Sequence, residues 1–102
     1  MHTKQLPKDT VRDLLGIARA LYVVLDNQGA QPSELDRIRE VTAWLIDALE
    51  LARTAPDTLG HRAAWAKAER ATSVLTELLL AHDEPTKRLV GAWAERLSAR
   101  AR

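Results

Sequence analysis

Three histidines, His2, His61 and His82, are the only imidazoles in the chain, and they bound its metal and general-base chemistry. Either chemistry wants such groups brought together, or one of them joined to a carboxylate. A helix running through positions 61 and 82 would hold those two imidazoles roughly 32 Å apart at the standard rise per residue. They share no ligand along such a helix. The Glu-x-x-His pairs that two-metal bundles set on facing helices are absent. His82-Asp83-Glu84 reads as a solvated helix junction, and no metal site is expected.

Nucleophilic chemistry has no more to work with. The chain has no cysteine, which leaves Ser33, Ser73, Ser98 and several threonines. Ser33 is explained as a helix cap, and Ser73 and Ser98 fall on polar helix faces with no histidine near them in sequence. The four glycines are scattered singly, so no phosphate-cradling loop is present. No catalytic residue and no cofactor is expected, and the chain is read as non-enzymatic. One alternative is kept open: a ligand-binding or enzymatic bundle whose site is assembled between helices from Tyr22, His61 or His82.

The elements that would position any site are helices. Apolar residues recur at steps of three and four, and no stretch shows the alternation of a half-buried strand. The pattern predicts an all-α, up-down bundle of four helices at about 9–26, 34–54, 58–82 and 85–101. Residues 1–102 form one domain, with 1–8 a flexible lead. In the first helix, Thr10-x-x-Asp13 has the form of a capping box, Val11, Leu14, Leu15, Ala18, Leu21, Tyr22 and Leu25 share a face, and Gly29 supplies the stop. In the second, Pro32-Ser33-Glu34 gives a serine cap, and Ile38, Val41, Leu45, Ala48 and Leu49 turn inward. The third is capped at Asp57 or Thr58. The fourth starts at the His82-Asp83-Glu84-Pro85 junction, with proline at the first helical position. That short junction favours an antiparallel turn, with a Pro-kinked continuous helix as the alternative.

Composition agrees with a folded domain. At 102 residues, 46% hydrophobic and 28% charged, the chain suffices for one core without disulfides. The longest apolar stretch, from Leu14 to Leu25, is interrupted by Arg19 and too short to cross a bilayer. No signal core follows the N-terminus. A cytoplasmic protein with no membrane partner is expected. Arginine exceeds lysine and alanine abounds, which suits a GC-rich, bacterial coding sequence. The net charge is +1, so no global field draws the chain to nucleic acid.

Two features argue locally for nucleic acid. The segment Val11 to Leu25 resembles the core of a helix-turn-helix motif, with Gly16 as turn glycine, Ile17 and Leu25 as packing residues and Arg19 as a base or phosphate contact. The likeness spans about fifteen residues. It departs from the motif at Arg12, where the crossing helices take a small residue, and at Tyr22, Val23 and Val24, where groove-reading polar groups belong. A single unbroken helix fits the same residues. The second feature is the C-terminus, where Lys87, Arg88, Arg96 and Arg100 could contact phosphates. Cations at a helix end also complement its macrodipole, which accounts for them without a ligand.

Surplus apolar surface points to a protein partner instead. The first helix is apolar over an arc that Ile17, Tyr22, Val23 and Val24 make broader than one neighbour needs. It is either the central helix or buried between subunits. Trp44 and Leu51 extend the apolar face of the second helix outward, and tryptophan is a common interface anchor. The sequence is therefore read as a small protein-binding module, an adaptor, inhibitor or regulator that self-associates as a homodimer. Its interface is expected at Ile17, Tyr22, Val23, Val24, Trp44 and Leu51. A DNA-binding regulator using Arg19, Lys87, Arg88, Arg96 and Arg100 is the alternative.

Overall fold

Helical periodicity along the chain is realised as four helices in a computed structural model. It describes residues 6–55 and 57–101, with 58 and 98–101 described through the backbone alone. They are α1 (Lys8–Asn27), α2 (Pro32–Thr54), α3 (Thr58–Leu80) and α4 (Glu84–Ala101). No strand occurs among the described residues. The all-α bundle read from periodicity is the observed fold.

The helix starts show which local signals won. α1 begins at Lys8 behind Pro7, with no side-chain cap. Thr10 and Asp13 therefore lie inside the helix, and their capping box does not form. Leu6, only 4% exposed, anchors this end in the core and Lys8 already belongs to α1, while residues 1–5 of the lead expected over 1–8 lie outside the described residues. α2 starts at Pro32, with Gln31 in extended conformation as the cap residue and no side-chain cap bond. Proline preset for the first helical position displaced the start by two residues and left Ser33 in the first turn. α3 follows the sequence signal, since Asp57 accepts a hydrogen bond from the Gly60 amide at 2.9 Å. α4 starts one residue ahead of the sequence signal, at Glu84, because Asp83 accepts from the Thr86 amide at 3.0 Å and so caps it, leaving Pro85 second in the helix.

The helix ends are equally local in origin. Gly29 takes φ +77°, which puts the Ala30 amide on the Leu25 carbonyl at 3.0 Å and the Gly29 amide on that of Asp26 at 3.1 Å. Those two bonds satisfy carbonyls that the end of α1 would otherwise leave bare. α2 gives way at Ala55, which is extended. Pro56, on which that stop was read, lies outside the described residues.

Packing gives α1 the central place. It packs along α2 and α4 and touches α3 more lightly, while α2 also packs along α3. The spatial order is thus α3, α2, α1, α4. α2 and α3 are antiparallel: Asp47 pairs with Lys67, Arg70 lies over Trp44, and Glu34 meets His82. α3 and α4 are separate helices, broken at Ala81 to Asp83, but they do not pack along one another. The short junction instead sends α4 across to α1. His82 Nε2 lies 3.0 Å from Glu34 Oε1, close enough for an ion pair though not aligned as a hydrogen bond, and so sets this junction against the start of α2.

The core is made of Val11, Leu15, Ala18, Leu21 and Leu25 on α1, Ile38, Val41, Leu45 and Ala48 on α2, Ala64, Ala68, Ala71 and Leu75 on α3, and Val90 on α4. Ala20 and Val24, on another side of α1, are buried as well. At 100° per residue, the buried positions of α1 cover an arc of about 220°. The breadth of that arc follows from three neighbouring helices.

A candidate docking groove between α1 and α2

Two outward rows of side chains meet where α1 and α2 run side by side. From α1 come Arg19, Tyr22 and Val23, and from α2 Arg39, Thr42, Ala43 and Ile46. They line an open groove of about 540 Å³ whose walls are mostly apolar. Its position follows from the helical repeat. Val41, Leu45 and Ala48 turn to the core, which leaves Ala43 and Ile46 facing away from it. Ile46 stays 44% exposed, a large apolar side chain without cover.

Charge at the groove is uneven. The Arg39 guanidinium bonds Asp36 at 3.0 Å, donates to the Tyr22 hydroxyl and lies 5.2 Å from that ring's centre. It is held in place and partly compensated. Arg19, on the opposite rim, pairs with none of the described acids and is exposed. A ligand group lying along the floor between the two would therefore meet one free guanidinium and one already engaged. Such a rim favours an apolar surface bearing a carboxylate.

The residues expected to form an interface are only partly gathered here. Tyr22 and Val23 line the groove, and so does Arg19, which had been considered for nucleic acid. Val24 does not, because at 4% exposure it belongs to the chain's own core. Ile17 and Leu51 are half-buried and pack against that core. Trp44 lies on the α3 side of α2, with the Arg37 and Arg70 guanidiniums 5.9 and 4.9 Å from its ring centre. Its ring is half-buried and already engaged by cations. Arg39, Thr42, Ala43 and Ile46 were not anticipated. The signal that could have found them is Ile46, an isoleucine set about 120° round the helix from the centre of its inner stripe.

The nucleic-acid features are not assembled into one surface. α1 runs unbroken through Gly16, so the segment 11–25 supplies no pair of helices with a turn between them. On α4, Lys87 is half-buried and pairs with Glu84 at 2.9 Å, while Arg96 lies 5.5 Å from the Trp93 ring centre. Helical geometry sets Lys87 and Arg96 on opposite flanks of α4, with Arg88 outward between them. The side chain of Arg100 lies outside the described residues.

Histidine chemistry is equally dispersed. Among the described residues no group of three or more histidines and acids is placed to hold a metal ion. Nor, among them, is any helix long and apolar enough to cross a membrane. A second hollow of about 460 Å³ separates the first turns of α1 from Trp65, Ala68 and Thr72 of α3. Leu6 and Pro7 close one end of it. Comparison with family models, curated proteins and solved structures returns no match.

Proposed function

We propose that this chain is a non-catalytic interaction module that docks a protein surface in the groove between α1 and α2. One observation carries the reading: an apolar floor of half-buried Val23 with exposed Ala43 and Ile46 lies beside Arg19, an arginine without an acidic partner among the described residues. An exposed isoleucine costs little alone, but grouped apolar positions beside a rigid rim mark sites of contact. The fitting partner is an apolar helix face that carries a carboxylate near one edge. The cytoplasm is the proposed setting, and the absence of cysteine accords with it.

The test compares the immobilised chain with its Val23→Asp and Ile46→Asp variants as bait in an extract of the native cell. Circular dichroism should report unchanged helicity, because both side chains border the core without filling it. Proteins retained by the parent and lost from both variants are the expected result. Equal retention by all three, or no retention by the parent, overturns the reading.

A further inference from the structure

The outward face of α2 carries a second pattern. Asp36, Arg39, Ala43, Ile46, Glu50 and Arg53 recur at alternating steps of three and four, the spacing of a seam between two wrapped helices. All six are exposed, and at 100° per residue they face nearly opposite to Ile38, Val41, Leu45, Ala48 and Ala52. The stripe runs about 26 Å, almost five turns. Its chemistry reads acid, base, apolar, apolar, acid, base.

That order is self-complementary in one direction only. Laid antiparallel on a second α2 about the midpoint between Ala43 and Ile46, Ala43 meets Ile46 of the second copy. Arg39 then meets Glu50 of that copy, and Asp36 meets its Arg53. Laid parallel in register, every charge meets its like. An antiparallel slip by one heptad sets both Ala43 and Ile46 against charges. A surface that matches itself under a two-fold rotation is what an isologous interface requires.

We infer that the occupant of this face is a second copy of the chain, docked by α2 against α2 in antiparallel register. This rests on the docking reading above, because Arg39, Ala43 and Ile46 belong to both the stripe and the groove. The existing pairs become part of the contact. Asp36 with Arg39, 3.0 Å apart, meets Glu50 with Arg53 of the other copy, and the four charges alternate in sign. Glu40 and Asp47, the acids flanking the stripe on the α3 side, do not oppose approach, since Arg37 and Lys67 already compensate them. Exposed ion pairs contribute little each, so the dimer is weak and loosens with salt.

Charge exchange tests both the dimer and its register. Arg39→Glu faces Glu50 of its like copy twice, and Glu50→Arg faces Arg39 twice, so sedimentation should show each alone dimerising about tenfold or more weakly than the parent. Mixed together, the two variants pair Glu with Arg at both contacts, and dimer should return to near the parental level. Ile46→Asp should leave a monomer of unchanged helicity. A parent that stays monomeric at high micromolar concentration overturns the inference, as does a mixture that fails to recover. So does a dimer that neither charge variant weakens. The groove reading is judged separately: a monomer that retains a foreign protein through Val23 and Ile46 keeps the groove and removes the self-association.

Discussion

α1 and α4 are helices of similar length, 20 and 18 residues, yet they are held in different ways. α1 buries Val11, Leu15, Ala18, Ala20, Leu21, Val24 and Leu25, with neighbours on three sides. Over its described side chains α4 buries only Val90 and Thr86, and Trp93, Ala94 and Leu97 are half-covered. It packs along α1 alone. The width of a helix's apolar arc therefore reports how many neighbours it has, and surplus arc alone is no sign of a partner. Surface left for a partner is found instead where an apolar residue faces away from such an arc, as Ile46 does.

The sharpest way to break this comparison is to truncate one core residue in each helix. Leu21 has no exposed surface, so Leu21→Ala should cost about 2–5 kcal/mol in urea unfolding. Val90→Ala removes one carbon fewer, from the less enclosed helix, and should cost about 1–2 kcal/mol. A larger loss at Val90 would mean that α4 is as integral as α1. Amide exchange sharpens the same point: the amides of α4 should exchange by local opening well below the global unfolding free energy.

Two glycines extend the contrast to the backbone. A Cβ built on Gly60, in the first turn of α3, would lie 2.3 Å from the Ala55 Cβ. Gly60→Ala must push the α2–α3 connection aside, and a loss of about 1–3 kcal/mol is expected from overpacking. Gly91 stands inside α4 with nothing within 4 Å of the added carbon. Gly91→Ala should therefore stabilise by about 0.5–1 kcal/mol, because alanine loses less backbone freedom in a helix. Melting temperatures that moved in the same direction for both variants would contradict these environments.

How far the sequence could be read follows from what each signal encodes. Periodicity marks the buried side of a helix, so the four helices and most of the core were legible. Local turn chemistry placed Gly29 and Asp57 correctly, because those groups act on atoms within a few residues, whereas the cap at Asp83 went unread behind the proline signal at position 85. Ser33 and Thr10 misled, since proline at position 32 and the burial of Leu6 moved the helix starts ahead of them. Spatial order was not legible. Nothing local to His82-Asp83-Glu84-Pro85 says that α4 leaves α3 to lie on α1. Val24 was consequently assigned to a partner when α1's own neighbours bury it. The groove was half legible, from Tyr22 and Val23, and its α2 wall was missed because Ala43 and Ile46 were weighed only against their own helix.

The smallest expected effect concerns how α4 begins. Asp83 accepts bonds from the Thr86 side chain and, at 3.0 Å, from its amide, which together hold the Asp83 carboxyl below the ordinary carboxylate range. Partial desolvation opposes the shift, and the nearby charges of His82 and Lys87 add to it weakly. The folded chain thus binds this proton less readily than the unfolded one. Whatever the cap contributes is fully present above the ordinary aspartate range and is lost as pH falls through about 4 and below. The Thr86 amide resonance should follow that protonation with a midpoint below that of a free aspartate. Asp83→Asn should keep the cap and abolish the titration, whereas Asp83→Ala should remove both and fray the first turn of α4 at every pH. A midpoint at or above the ordinary value would mean that the cap is not made in solution. α4 would then start without a side-chain cap, held there by the buried Thr86 and by His82 against Glu34 just before it.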